Sequence, residues 1–130
     1  MKYLLALFTE EGGNEDASPE EMKAVMDRWS AYSEEAVKSG AFVAGEGLQP
    51  TEAASTVRIE DGQDPTITDG PFAESKEQLA GFYLLECQDL DEALEYAKKI
   101  PFQSGSVEVR PVMDYEGSGH QDPAEAGATA

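Results

Sequence analysis

The run Lys2-Tyr3-Leu4-Leu5-Ala6-Leu7-Phe8 is apolar at its odd positions (Tyr3, Leu5, Leu7) and at its even ones (Leu4, Ala6, Phe8). Successive side chains of a strand point to opposite faces, so a short run of this kind, closed by Thr9-Glu10-Glu11, reads as a strand buried front and back. Gly81-Phe82-Tyr83-Leu84-Leu85-Glu86-Cys87 repeats the pattern over most of its length. Two such strands belong at the centre of a sheet.

Between them Ser18-Pro19-Glu20-Glu21 supplies a helix cap, a proline at the first helical position and early acids. Met22, Val25, Met26, Trp29, Ala36 and Val37 then recur at helical spacing until Gly40, which suits a left-handed C-terminal cap. Ala41 to Leu48 reads as a strand that bends, or that admits a close approach to its backbone at Gly45 and Gly47. Thr56-Val57-Arg58-Ile59 and Pro65-Thr66-Ile67-Thr68 flank an Asp61-Gly62 turn and form a hairpin. Asp69-Gly70-Pro71-Phe72 is a turn, and Ala73 to Leu79 is a connection of undefined shape. Asp89-Leu90-Asp91-Glu92 opens a second helix with an apolar stripe at Leu90, Ala93, Leu94 and Ala97, and Val107-Glu108-Val109-Arg110 is a last, alternating strand.

This order predicts an α+β fold, a ferredoxin-like split βαβ sandwich with an inserted β-hairpin, over residues 1–113, followed by an acidic, disordered tail at 114–130. Two helices cover one face of a sheet whose central strands are apolar on both. The open face therefore needs a partner, and pairing with a second copy about a two-fold axis satisfies it with one repeated surface. A homodimer is expected.

The 130 residues carry 27 Asp and Glu against 9 Lys and Arg, a net charge of -18. That field repels phosphate backbones and anionic headgroups, so neither nucleic acid nor membrane is an expected partner. Solubility or adaptation to salt accounts for the acidity, with a cationic partner as the alternative. Cys87 is the sole cysteine and has no intrachain disulfide partner; its apolar setting reads as a small buried hydrophobe. The N-terminal apolar run stops without a cleavage pattern, and no run is long enough to span a bilayer, which points to a cytoplasmic location.

From Asp69 to Phe82 the chain reads DGPFAESKEQLAGF, and with Gly45-Glu46-Gly47-Leu48-Gln49-Pro50, Asp89-Leu90-Asp91-Glu92-Ala93 and Val107-Glu108-Val109-Arg110-Pro111-Val112 it resembles the DGPF subgroup of the YCII-related family. The resemblance implies a dimeric α+β barrel, with subunits packed sheet to sheet. In the wider YCII group, which includes a dehydrochlorinase acting on chlorinated aromatics, a His and Asp pair is proposed to be catalytic. Here the sole histidine, His120, lies in the tail, so only Asp69 can stand in for a family acid. Genes of DGPF type often neighbour those for extracytoplasmic-function sigma factors, which implies a regulatory setting.

Asp69 has two readings: a turn residue accepting backbone N–H bonds, or a catalytic general base at a pocket rim with Phe72 as an apolar wall. Glu46, between two glycines, is a candidate ligand contact or merely marks a bend. Lys76 is either a rim charge or half of a solvated pair, and Tyr83 either offers its hydroxyl to a cleft or packs as an amphipathic core residue. No phosphate loop, dinucleotide fingerprint, metal cluster or nucleophile elbow is present, and no cofactor is expected. Two functions follow: a cofactor-independent small-molecule protein, either a lyase or isomerase or a binder, and a non-catalytic regulatory module acting on a protein partner.

Overall fold

A computed structural model describes residues 1–12 and 16–114. The expected tail, beyond Asp114, and His120 lie outside the described residues. The elements run β1 (Lys2–Thr9), α1 (Pro19–Lys38), β2 (Phe42–Gly47), a 3₁₀ turn (Thr51–Ala53), β3 (Ser55–Arg58), β4 (Thr66–Asp69), β5 (Gln78–Glu86), α2 (Leu90–Lys98) and β6 (Ser106–Pro111). The result is a mixed α+β architecture. Four strands form an antiparallel sheet in the order β2-β5-β1-β6, and β3 and β4 pair separately as a hairpin arm.

Both helices start where their capping residues place them. Ser18 accepts a hydrogen bond from the Glu21 N–H at 3.1 Å, with Pro19 in the first turn. Asp89 does the same for the Glu92 N–H at 2.9 Å. Gly40, at φ 83°, takes the left-handed conformation that lets the chain leave α1.

The two-faced central strands are adjacent. Tyr3, Leu5 and Leu7 of β1 stand opposite Leu85, Tyr83 and Gly81 of β5 in the pairing register. These side chains face the helices and close the core with Tyr32 and Ala36 of α1, Ala93 of α2, Cys87 and Ile100. Leu5 and Leu85 are fully buried. The intervening positions, Leu4, Ala6, Phe8, Phe82 and Leu84, belong to the opposite face, where strand alternation also places Ala44, Glu46, Glu108 and Arg110. Among the described residues no helix covers that face. It is an apolar centre rimmed by charges of both signs, with Arg110 bonded to Glu108.

Two expectations are corrected. The helical stripe of α1 is only partly buried: Tyr32 and Ala36 are enclosed, whereas Met26 and Val37 are 64% and 59% exposed. Tyr32 and Ala36, four apart, mark the inward face of α1, and at about 100° per residue Val37 is rotated about 100° from Ala36 and Met26 about 80° in the same sense, so both stand at one edge of that face. The connection at 73–79 is also shorter than read, because β5 begins at Gln78, before a bulge between the Leu7 and Phe8 pairings.

The arm turns at Glu60 to Gln63, with Gly62 at φ 76°. Val57 and Ile67 are directly paired, and Ile59 follows just beyond the end of β3. All three are more than half exposed. Among the described residues no helix is long and apolar enough to cross a membrane.

Candidate functional site

A slot of about 340 Å³ opens between α1 and the β2–β5 half of the sheet. Its helix wall is Trp29, Ser33 and Val37, spaced by four residues and therefore stacked on one face of α1. Its sheet wall carries Leu7 and Tyr83 and is otherwise low, with glycine at 45, 47 and 81. Phe42 and Phe102 close the ends, Phe102 meeting Trp29 edge to face at 5.3 Å and Phe42 meeting the Tyr83 ring at 6.3 Å.

The three glycines do different work. A Cβ on Gly81 would sit 2.7 Å from the Glu46 carbonyl oxygen, so Gly81 is what lets β2 lie against β5. A Cβ on Gly45 would press on the Tyr83 ring at 2.9 Å. At Gly47 a Cβ would meet nothing within 4 Å, and the Gly47 and Gly81 pairing places it on the helix side of the sheet, pointing into the slot.

One polar feature lies inside. Ser33 Oγ and the Tyr83 hydroxyl are 2.8 Å apart, joining α1 to β5 across the slot. Two hydroxyls carry two protons, and one suffices for the bond between them. The second proton and the remaining lone pairs have no other partner among the described residues. Tyr32, next to this pair, is committed elsewhere: its hydroxyl donates to the Tyr96 carbonyl at 3.0 Å, and burial, helped by Tyr83 and Tyr96, holds its phenol well above the usual tyrosine value.

Of the residues read from sequence, Tyr83 and Glu46 border the slot. Glu46 pairs with Phe82, so alternation turns its carboxylate toward the opposite face. Asp69, Phe72 and Lys76 are not brought to it. Asp69 ends β4 exposed and opposite Ser55, and the local turn bonds are made by Gly70, whose N–H reaches the Ala54 carbonyl and whose carbonyl accepts from Thr56. Phe72 is 77% exposed. Lys76 lies 3.5 Å from Glu10 at a wider, charged groove of about 1080 Å³ between α1 and the neighbouring loops, where Glu11 also grips Thr51 through its backbone N–H and hydroxyl at 2.7 Å each.

Sequence reasoning read Trp29 as core and passed over Ser33. The available signal was Ser33 itself, a hydroxyl midway between Trp29 and Val37 on the apolar stripe of α1. Among the described residues, no group of three or more His, Cys, Asp or Glu side chains converges as a metal site would require.

The YCII-related domain matches residues 1–116. An uncharacterized protein, R00369, from Rhizobium meliloti (strain 1021) is 40% identical over 119 residues, covering 89% of this chain and 95% of that protein. A match over this much of both sequences makes the chain a member of the YCII-related family.

Proposed function

We propose that this protein is a homodimeric small-molecule-binding member of the DGPF subgroup, with one ligand slot per subunit between α1 and the sheet. The Ser33 and Tyr83 pair carries the reading: a hydroxyl couple with spare hydrogen-bonding capacity inside an otherwise apolar cavity. Apolar walls with one placed polar group are the usual make-up of a ligand pocket, and about 340 Å³ lies at the small end of the roughly 300–1,000 Å³ such pockets occupy. Of the residues read from sequence, Tyr83 has a chemical part in this proposal; Asp69, Phe72 and Lys76 have none, and Glu46 contributes backbone.

The DGPFAESKEQLAGF run supports the subgroup, and the β2-β5-β1-β6 order supports a ferredoxin-like subunit. The dimer is supported by the uncovered face around Leu4, Phe82 and Leu84. Four strands about 4.8 Å apart, with roughly six residues of 3.3 Å each, give a flat footprint of about 400 Å². A standard interface takes about 800 Å² from each partner, so the sheet face alone falls short. The exposed apolar residues of the arm (Val57, Ile59, Ile67) are the natural remainder, since a two-stranded ribbon is marginal in water by itself.

Thermal-shift screening of small uncharged aromatic and aliphatic molecules tests the slot, with Gly47→Leu as the blocked control. Stabilisation of wild type that Gly47→Leu abolishes is the expected result, and equal shifts in both proteins would remove the site. Sedimentation tests the dimer: wild type should run as two subunits, and Val57→Ser with Ile67→Ser should weaken association at least tenfold, each aliphatic being worth up to roughly 1.5–3 kcal/mol when buried.

A further inference from the structure

We propose that the slot selects an uncharged, flat, one- or two-ring aromatic molecule carrying a hydroxyl or carbonyl oxygen; this rests on the slot being the ligand site. Shape comes first. Trp29, Phe42, Phe102 and Tyr83 present rigid ring surfaces around a floor left flat by Gly47 and Gly81, and aromatic edges and faces pack best against another ring. The volume of about 340 Å³ admits a small ring system and not an extended chain with a large headgroup.

Charge comes second. Among the described residues no Lys, Arg or His lines the slot, and the acid that borders it, Glu46, adds to a net charge of -18. An anionic ligand would lose its hydration without gaining a counter-charge, and would enter against the field of the whole chain. The polar group comes third. The uncommitted proton of the Ser33 and Tyr83 pair donates to a carbonyl or hydroxyl oxygen, and the pair's lone pairs accept from a ligand O–H. A hydrocarbon would leave that proton unpaired on the part-buried hydroxyl pair, whichever of the two carries it, which disfavours it relative to the same ring bearing one oxygen.

Equilibrium dialysis of the full chain at pH 7 against 2-naphthol, naphthalene and 2-naphthoate separates these terms. 2-Naphthol should bind most tightly, naphthalene roughly threefold to tenfold more weakly, as one net hydrogen bond allows, and 2-naphthoate weaker by at least tenfold. The double variant Ser33→Ala with Tyr83→Phe should bind 2-naphthol and naphthalene equally, and Gly47→Leu should bind none of the three. Binding of 2-naphthoate as tight as 2-naphthol, or a 2-naphthol preference that survives the double variant, overturns the ligand class while leaving the slot in place. Failure of wild type to bind any probe, or binding undiminished by Gly47→Leu, overturns the class and the slot together.

Discussion

Replacing Gly81 by alanine should destabilise the protein, although both residues are small and apolar. The new Cβ would lie 2.7 Å from the Glu46 carbonyl oxygen and 3.2 Å from Gly47 Cα, and both obstacles are backbone, so no side chain can swing aside. The β2 and β5 strands would have to part by several tenths of an ångström where Leu48 N–H donates to the Ala80 carbonyl at 2.8 Å. Overpacking of this kind costs about 1–3 kcal/mol and a weakened ladder bond about 0.5–1.5, offset by about 0.4–1 from the stiffer unfolded chain. The net loss is about 1–3 kcal/mol, or roughly 4–10 °C in Tm for a chain of this size. Gly47→Ala, directly across the ladder, meets nothing within 4 Å and should be neutral or slightly stabilising; Gly45→Ala, which presses on a ring that can tilt, should fall between. Urea unfolding at one matched protein concentration, needed because association also stabilises, ranks the three variants. If Gly81→Ala unfolds within about 0.5 kcal/mol of Gly47→Ala, well below the cost of overpacking, the account of close strand approach is refuted.

Tyr32→Phe should cost about 0.5–1.5 kcal/mol at neutral pH by removing the bond to the Tyr96 carbonyl. Because burial raises the Tyr32 phenol, the native state keeps a proton that the unfolded chain releases above about pH 10; stability is thus full below that pH and falls as pH rises further. The gap between wild type and Tyr32→Phe in urea unfolding should narrow between pH 9 and pH 11, and a constant gap would contradict it. Burial likewise pushes the Cys87 thiol up, so a disulfide reagent at pH 8 should label native protein far more slowly than protein in urea; equal rates would place Cys87 at the surface. With a net charge of -18 and ion pairs that are all solvent-exposed among the described residues, raising KCl from low to near-molar should raise Tm by screening self-repulsion. A fall in Tm would assign those pairs more weight than exposed pairs usually have.

Local chemistry wrote much of this architecture into the chain. Ser18 and Asp89 cap because a short oxygen-bearing side chain before a helical run has orphan N–H groups to satisfy. Gly40 and Gly62 lie at positive φ, where a Cβ is penalised, and the run from Tyr3 to Phe8 is apolar on both faces because it sits inside the sheet. These features depend on near neighbours in sequence, and so they are legible in it. Which residues meet across the fold depends instead on strand order and register. That is why Asp69, with its conspicuous turn motif, stands apart from the slot, while Ser33, unremarkable on its helix, comes within 2.8 Å of Tyr83, fifty positions away. Packing α1 over a strip of glycines decides the site, since Gly81 lets β2 lie against β5, Gly45 leaves room for the Tyr83 ring and Gly47 leaves open space, and these three positions meet only in the folded sheet.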